Sequence, residues 1–314
     1  MIQHSPFLHF KFIIIILLLS GCSMTSNTKP ISHFYDYQLY NATLSPLPLS
    51  EWQQEFTNAD VILIGEWHTH SGVHHFQADF LHTLLQKQTR IALSMEQFSR
   101  DAQPILNKYL TDQIGEQTLI QQAKAWPNYE SDYRPLVEIA KTNQLDVIAA
   151  NAPKPIVQCI AKEGLDYLGR LEPDQRQYVA KNLDTRDSEY KQKFMASMHH
   201  GQPNKHENLY ASQLTWDATM AESIVDYISQ HPDTKIVHIA GKFHTESGLG
   251  IATQIKELNS SLKVIIITPV FELIPNGNDY LLQVTTLPKR YVQQSNQFAA
   301  YKELSKRKEH YECN

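Results

Sequence analysis

Short apolar runs alternate along the chain with segments in which apolar residues recur at helical spacing. The runs at 61–65 (VILIG), 91–95 (IALSM), 146–150 (DVIAA), 235–240 (KIVHIA) and 264–268 (VIIIT) predict strands covered on both faces. Helical spacing predicts helices at 73–85, 102–110, 133–141, 153–163 and 212–228, and residues 281–285 predict an edge strand. This alternation predicts an α/β fold with a mostly parallel central sheet and helices on both faces.

The segments outside this alternation set the expected domain boundaries. Residues from about 166 to 208 are polar and rich in Gln, Lys, Asp and Tyr, which predicts a helical insertion or cap on the sheet. Residues 289–314 are polar and charged, and we expect a loose helix or a tail there. The α/β domain is therefore expected to span residues 46–288.

The first thirty residues predict export and lipid attachment. The unbroken apolar run 12–19 (FIIIILLL) is too short to span a bilayer but is typical of a secretory signal. Leu19-Ser20-Gly21-Cys22 has the small-residue pattern that lipoprotein signal peptidase recognises, which predicts a signal peptide over 1–21, lipidation of Cys22 and a tether over 22–45. In a Gram-negative cell, Ser23 after the cysteine favours sorting to the outer membrane. The alternative is an ordinary signal peptide with a chance cysteine.

Composition excludes some functions. The chain has 28 Lys and Arg against 33 Asp and Glu and no tract dense in basic residues, so nucleic-acid binding is not expected. Apart from Cys22, only Cys159 and Cys313 remain, and Cys159 lies in an apolar helical stretch where a buried, inert thiol is expected. The chain has no Cys-x-x-Cys-His motif, which excludes covalent haem attachment at such a motif.

Polar side chains of catalytic or ligating types follow four of the predicted strands. They are Glu66 and His68 after the first strand, Glu96 and Gln97 after the second, Asn151 after the third, and Lys242 and His244 after a later one. In an open α/β sheet, ligands bind outside the carboxyl ends of the parallel strands. A single polar residue at such a place is usually a loop residue or a helix cap, so the prediction of a site rests on the joint pattern.

Two of these segments share a pattern. The segments 65–72 (GEWHTHSG) and 241–248 (GKFHTESG) match at Gly, His, Thr, Ser and Gly, and each follows an apolar strand. A glycine at a strand end lets the backbone approach a ligand closely. The pattern therefore predicts a site with rough two-sided symmetry. His74 and His75 open the following helix and either line the pocket or serve as packing residues.

Several short motifs occur in order between about residues 59 and 269. They comprise Gly65-Glu66-Trp67-His68 with His74-His75, Met95-Glu96, 101–104 (DAQP), 133–136 (YRPL), 147–153 (VIAANAP), 217–222 (DATMAE) and Gly241-Lys242-Phe243-His244. In this combination the chain resembles the ChaN-like haem-binding, iron-regulated lipoproteins. It departs from the family pattern at the last motif, which is closer to Gly-x-Gly-His in the family, so the pocket wall beside His244 is expected to differ.

The resemblance implies a haem-binding lipoprotein at the outer membrane, which forms a homodimer around its haem and stores it or exchanges it with an outer-membrane haem receptor. It also implies that a tyrosine coordinates ferric iron, with histidine and lysine at the propionates. Tyr133 and Tyr129 are the candidate iron ligands because they precede a matching segment, although Tyr133 could simply pack at a helix start. The expected haem contacts are Glu66, His68, His74, His75, Glu96, Tyr129, Tyr133, Asn151, Lys242 and His244.

The competing interpretation is an enzyme. The two Gly-x-x-His segments also resemble the wider superfamily of metal-dependent Tiki proteases and erythromycin esterases. Glu66 or Glu96 would then act as a general base, with His68 and His244 as ligands of a divalent metal ion or as acid–base partners. The chain has no Gly-x-Ser-x-Gly or His-Glu-x-x-His motif that would require this function. A surface lipoprotein with a vestigial pocket is a third interpretation.

Overall fold

The computed structural model describes residues 1–2, 31–51, 53–88, 90–198, 203–306 and 312–313. Cys22 and nearly all of the expected signal peptide lie outside these residues, so lipidation and cleavage stay predictions. Within the described residues, no helix combines the length and the apolar character needed to cross a membrane.

The core of the molecule is a seven-stranded sheet. Its strands are β1 (Tyr37–Tyr40), β2 (Val61–Glu66), β3 (Ile91–Ser99), β4 (Asp146–Asn151), β5 (Lys235–Gly241), β6 (Val264–Val270) and β7 (Tyr280–Val284). They lie in the order β1-β7-β6-β2-β5-β3-β4. Every neighbouring pair is parallel except β1 and β7, which are antiparallel. The prediction of a mostly parallel α/β sheet is confirmed.

Helices cover both faces of this sheet. They are α1 (Gln54–Asn58), α2 (Ser71–Leu85), α3 (Gln103–Leu110), α4 (Glu116–Gln122), α5 (Arg134–Thr142), α6 (Lys154–Glu163), α7 (Pro173–Arg176), α8 (Glu189–Ser197), α9 (Pro203–Gln230), α10 (Lys242–Thr245), α11 (Ile251–Leu258) and α12 (Gln294–Lys306). A π-helical turn at Tyr129–Tyr133 leads into α5.

Alternate residues of each central strand enter two separate hydrophobic cores. In β2, Ile62 and Ile64 pack with residues of α2, α3 and α5, whereas Val61 and Leu63 pack with residues of α9 and α11. This division follows from the two-residue period of a strand, whose side chains point to opposite faces in turn. Because both faces are covered, the central strands are mostly apolar rather than alternating, as the sequence predicted.

The segment predicted as a helical insertion or cap contains several short helices and the start of a long one. Residues 166–208 contain a 3₁₀ segment, α7, α8 and the start of α9. Helix α9 begins at Pro203, inside the predicted insertion, and continues as one helix through the predicted 212–228 segment. Helix α8 packs on α9 through Tyr190, Phe194, Tyr210 and Leu214, which form a small core of their own.

The two ends of the domain differ from the prediction. Strand β7 was predicted as an edge strand, but β1 pairs outside it and forms the edge. Since β1 lies within the segment 22–45 that was assigned to the tether, the sheet begins before residue 46. The polar segment after residue 289 contains the helix α12.

The prediction of a free, inert Cys159 thiol is wrong. Cys159 on α6 is buried, as expected, but it forms a disulfide with Cys313, 154 residues further along the chain. The sequence could not indicate this pairing, because two isolated cysteines carry no spacing signature and only the tertiary fold brings the C-terminal residues to α6. The disulfide links the end of the chain to the helical layer.

We expect Cys159→Ser to lower the free energy of unfolding by roughly 2–4 kcal/mol, because the cross-link restricts a long loop in the unfolded chain. Thermal unfolding of the oxidised form beginning at Ser23 measures this loss. Cys313→Ser is the matched control and should give the same loss, and a reductant should destabilise only the wild type. Equal stability of oxidised wild type and both variants would contradict the disulfide.

Candidate functional site

Glu66, the last residue of β2, is buried at the carboxyl edge of the sheet. Its carboxylate accepts hydrogen bonds from the Tyr133 hydroxyl at 2.6 Å, Gln77 Nε2 at 2.8 Å, His68 Nδ1 at 2.9 Å and Gln97 Nε2 at 3.1 Å. Burial alone raises the pKa of Glu66, but the hydrogen bonds from His68 and Gln77 and a nearby histidine lower it overall. Three of these donors bind Oε1 and Gln77 binds Oε2, so Glu66 chiefly orients its neighbours in this conformation.

His68 stands at the surface above Glu66. Its side chain is 44% exposed, and its ring meets the Trp126 ring edge-on at 4.9 Å between centroids. A Cβ atom at Gly241 would lie 2.9 Å from His68 Cε1, so a larger residue at 241 would displace the ring from this position. Burial alone lowers the pKa of His68, but the hydrogen bond to Glu66 and the charge of Glu96 raise it overall.

His244 has a carboxylate partner of its own, which lies on α9. His244 Nδ1 is 2.8 Å from Asp217 Oδ1, and Asp217 Oδ2 accepts a 2.6 Å hydrogen bond from the Tyr190 hydroxyl. The Gln213 amide nitrogen lies 3.0 Å from the same histidine nitrogen. Burial alone lowers the pKa of His244, but the charges of Asp217 and Glu96 and the hydrogen bond to Asp217 raise it to about 9. His244 is therefore a buried cation at neutral pH.

The site thus contains two equivalent arrangements of tyrosine, carboxylate and histidine. We call Tyr133–Glu66–His68 the first triad and Tyr190–Asp217–His244 the second triad. Glu96 belongs to the second side: its Oε2 accepts a 2.6 Å hydrogen bond from the backbone nitrogen of Gly241, and its Oε1 is 3.7 Å from His244 Nε2. The rough two-sided symmetry inferred from the repeated Gly-x-x-His pattern is therefore present in the geometry.

Two other expected site residues, His74 and Asn151, have supporting roles. His74 is buried beside Tyr133, with its ring nitrogens 2.9 Å from Gln77 Oε1 and 3.2 Å from the His68 carbonyl oxygen. Asn151 donates to the Glu96 carbonyl oxygen at 3.0 Å, which joins the ends of β3 and β4. These two residues hold the site backbone.

His75 is exposed and lies away from both triads. Its Nδ1 bonds the carbonyl oxygen of Tyr35 at 2.9 Å, and its Nε2 is 3.4 Å from Asp79 on the same helix. His75 therefore joins α2 to the residues that precede β1.

Neither candidate iron ligand presents its hydroxyl group to the surface. Tyr133 is fully buried, and burial together with the Glu66 charge and hydrogen bond raises its pKa far above the ordinary value. Tyr129 is 1% exposed, burial raises its pKa as well, and its hydroxyl has no hydrogen-bond partner within the described residues. Iron ligation requires a phenolate, and this conformation stabilises the protonated phenol at both positions.

A half-buried aromatic wall extends beside the first triad. The Trp67 ring stacks on Phe271 with centroids 4.1 Å apart and planes 10° apart. Lys242 Nζ lies 5.2 Å from the Trp67 ring centroid and 3.3 Å from Glu246. We call Trp67, Phe271 and Lys242 the aromatic wall. It combines a flat apolar surface with a cation, which suits a planar apolar ligand that carries carboxylates.

Within the described parts of the chain, no group of three or more His, Cys, Asp or Glu side chains is arranged to hold a metal ion. His68 and His244 are instead engaged through Nδ1 with separate carboxylates. In this conformation the cluster is an acid–base network of two histidines and three carboxylates.

Sequence reasoning did not give Asp217 or Tyr190 a role at the site. Asp217 had a detectable signal: it lies between Leu214 and Ala221 at helical spacing, so it falls on the apolar face of α9. A carboxylate on such a face must have a buried partner. Tyr190 gave no comparable signal, because the packing of α8 on α9 depends on the tertiary fold.

The sequence from 52 to 255 matches the family described as haem-binding uptake, Tiki superfamily, ChaN. The chain belongs to this family. The match covers β2 to β5 and most of α11, and therefore both triads. No curated protein sequence matches the chain.

Several solved structures are similar to this ChaN-family chain. The structure described as cofacial haem binding to ChaN of Campylobacter jejuni is 20% identical, with a TM-score of 0.63 and coverage of 82% of this chain and 100% of that chain. An erythromycin esterase variant in its open conformation is 12% identical, with a TM-score of 0.45 and coverage of 84% and 87%. A Bacillus cereus protein is 13% identical, with a TM-score of 0.42 and coverage of 73% and 70%.

The raised pKa of His244 makes stability depend on pH. Its folded-state pKa of about 9 exceeds the ordinary value of 6.5, so its stabilising contribution is complete below pH 6.5 and is lost as pH rises through 9. This loss amounts to roughly 3 kcal/mol. We expect Asp217→Asn to reduce the pH dependence in this range, which urea unfolding at pH 6 and pH 9 would measure.

The matched control is Asp226→Asn, which removes an exposed carboxylate from the same helix and should keep the wild-type pH dependence. Histidine NMR titration provides a direct check. A His244 pKa near 6.5 in the wild type would contradict the buried ion pair.

Proposed function

We propose that this protein binds haem at the carboxyl edge of its sheet and stores it or hands it on without making or breaking a covalent bond. The observation that carries the proposal is the match of residues 52–255 to the haem-binding uptake family. The whole candidate site lies within or beside this match. ChaN of Campylobacter jejuni, which shares the fold, binds haem cofacially according to its description.

The aromatic wall fits haem by its chemistry. Haem has a flat apolar macrocycle and two propionates, and the wall offers the stacked Trp67 and Phe271 rings with the Lys242 ammonium over Trp67. His68, whose ring is exposed, directly follows Trp67 of the aromatic wall in the sequence. Trp67 and Phe271 would bind the macrocycle, and Lys242 would bind a propionate after release from Glu246. Bound haem would supply a ferric iron.

We further infer that the protein acts as an outer-membrane lipoprotein and that a homodimer encloses the haem. Leu19-Ser20-Gly21-Cys22 followed by Ser23 supports lipid attachment and outer-membrane sorting. The cofacial haem binding described for the Campylobacter jejuni protein supports the homodimer. A lipid-anchored carrier of this kind would exchange haem with an outer-membrane haem receptor.

We expect the soluble form beginning at Ser23 to bind ferric haem saturably and to shift towards a dimer as it does. Lys242→Ala should weaken binding about three- to tenfold, because one propionate loses its cation. Absorbance titration and size-exclusion chromatography measure both effects. Lys256→Ala, which removes an exposed lysine on α11, is the control and should bind like the wild type. Absence of saturable binding would overturn the proposed function.

A second candidate function is hydrolysis, and the two triads favour it. Each triad fixes a histidine through Nδ1 on a buried carboxylate, an arrangement typical of general acid–base catalysis. His68 would accept the proton of a water molecule that adds to a carbonyl carbon. The buried cationic His244 would stabilise the resulting oxyanion and protonate the leaving group. In the metal-dependent form of this candidate function, Glu96, His68 and His244 would hold a divalent metal ion.

If the site is hydrolytic, p-nitrophenyl esters should be turned over saturably, and His68→Gln should reduce kcat/KM by about 100-fold or more. Lys256→Ala again serves as the control. A chelator and metal analysis of the purified protein separate the metal-dependent form from the metal-free form. Turnover at the buffer rate, or turnover unchanged in His68→Gln, would eliminate this candidate.

A further inference from the structure

The residues just before β1 form a tight hydrogen-bonded turn. Asp36 Oδ2 accepts hydrogen bonds from the backbone nitrogen and the hydroxyl of Ser32, both at 2.8 Å, and from the backbone nitrogen of His33 at 3.0 Å. The His33 ring lies 3.1 Å from Asp36 Oδ1. These contacts give the segment one defined backbone shape, and we call residues 32–36 the N-terminal clip.

Side chains of the domain hold the N-terminal clip in place. His75 Nδ1 on α2 lies 2.9 Å from the Tyr35 carbonyl oxygen, and the Thr285 hydroxyl donates to the His33 carbonyl oxygen at 3.1 Å. The clip is therefore attached to the helix that follows β2 and to the residue that follows β7.

Gly72 sets how closely the clip approaches α2. A Cβ atom at position 72 would lie 2.8 Å from the carbonyl oxygens of both Phe34 and Asp36, so a larger residue would displace the clip. The glycine suits the clip and not the helix, in which glycine is unfavourable.

This fixed backbone presents two aromatic side chains to the solvent. Phe34 is 42% exposed and Tyr35 is 62% exposed. Aromatic residues, above all those with a polar tip such as tyrosine, are favoured at the boundary between a membrane and water. The clip therefore offers the side-chain types that a bilayer surface accommodates.

Two unpaired cations lie close to the clip in the chain segment after β7. Lys289 and Arg290 are exposed, and neither has an ion-pair or hydrogen-bond partner within the described residues. Lys289 follows Thr285 by four residues, so the two Cα atoms are at most about 14 Å apart. Basic side chains beside exposed aromatic ones complement anionic phospholipid headgroups. We call the following residues the tether-side patch: Phe34, Tyr35, Lys289 and Arg290.

The length of the proposed tether keeps this patch near the membrane. Ser32 follows Cys22 by ten residues, which span at most about 35 Å even when fully extended. A domain of this size is about 50 Å across, so the tether is shorter than the domain. An anchor at Cys22 therefore restricts the domain to orientations in which the clip lies near the bilayer.

We propose that the tether-side patch lies against the membrane surface. Phe34 and Tyr35 enter the headgroup region of the bilayer, and Lys289 and Arg290 contact anionic phospholipid headgroups. The proposal rests on the lipid anchor that is part of the proposed function.

This contact would fix the orientation of the candidate site. Strand β7 is parallel to β6, and β6 is parallel to β2, so β7 ends at the same carboxyl edge as Glu66. The clip contacts Thr285 at the end of β7 and therefore lies at this edge as well. The edge that carries both triads and the aromatic wall would be turned towards the bilayer. An amphipathic ligand such as haem could then pass between the site and the membrane without crossing bulk solvent.

The test uses the form beginning at Ser23 with a hexahistidine tag at its N-terminus. A nickel-chelating lipid holds this form on vesicles of phosphatidylethanolamine and phosphatidylglycerol, which reproduces the anchor independently of lipidation at Cys22. Thr286→Cys provides a thiol for an environment-sensitive fluorophore beside the patch. Ser260→Cys provides one in the turn before β6, at the opposite edge of the sheet.

We expect spin-labelled lipids to quench the fluorophore at position 286 and not the fluorophore at position 260. The native cysteines do not interfere, because Cys159 and Cys313 are joined in the disulfide and this form begins after Cys22.

Substitutions in the patch test its two chemical components. Phe34→Ser combined with Tyr35→Ser should remove most of the quenching beside the patch, whereas Leu258→Ser, which changes an exposed leucine at the end of α11, is the control and should leave it unchanged. Lys289→Gln combined with Arg290→Gln should weaken binding of the untagged form to the same vesicles roughly tenfold in a sedimentation assay. Circular dichroism checks that each variant is folded.

Equal quenching at positions 286 and 260 would overturn the proposal, because the domain would then have no preferred orientation. Quenching beside the patch that persists in the Phe34→Ser, Tyr35→Ser variant would also overturn it. If that variant instead loses a dimer seen by size-exclusion chromatography and keeps the quenching, the patch binds a second copy of the chain and not the bilayer.

Mass spectrometry of the full-length protein from cell membranes tests the anchor separately. An unlipidated Cys22 would contradict the proposed anchor, whereas the vesicle experiment judges the patch by itself.

Discussion

Two buried carboxylates, those of Glu66 and Asp217, determine how the rest of the site is built. An ionised carboxylate in the interior is costly unless it is surrounded by hydrogen-bond donors or cations. Glu66 obtains its donors from α2, β3, the π-helical turn and the residues after β2, and Asp217 obtains its donors from α8 and α10. This need for donors and cations positions the histidines and tyrosines of both triads.

The sheet and one half of the site could be predicted from the sequence, because both depend on local patterns. Continuous apolar runs mark strands covered on both faces, and parallel strands bring their carboxyl ends to one edge. Glu66, His68, Glu96 and His244 could therefore be placed together. Asp217 carried only the signal of a carboxylate on an apolar helix face, and neither its partner His244 nor Tyr190 could be assigned to it, because these contacts depend on how α8 and α9 pack. No local pattern specifies that packing.

The same limit explains the errors near the chain ends. The pairing of Cys159 with Cys313 and the position of β1 outside β7 are contacts between distant parts of the chain.

Tyr133 precedes a recognisable motif, but a motif does not reveal whether a hydroxyl points outward or towards a buried carboxylate. In this conformation the Tyr133 hydroxyl is bound to Glu66, and the role of Tyr133 as an iron ligand stays a prediction.

The cluster around Glu96 and the aromatic wall, which both lie at the edge of the sheet, differ in charge. The cluster around Glu96 contains three carboxylates and two histidines, so a haem propionate brought there would meet like charges that only the histidines offset. The aromatic wall presents Lys242 and two stacked rings, and Glu246 is the carboxylate that holds Lys242. A dianionic planar ligand is therefore more stable on the wall than over the cluster. The first triad remains accessible to water through His68, so a ligand on the wall and acid–base chemistry at His68 need not compete for the same atoms.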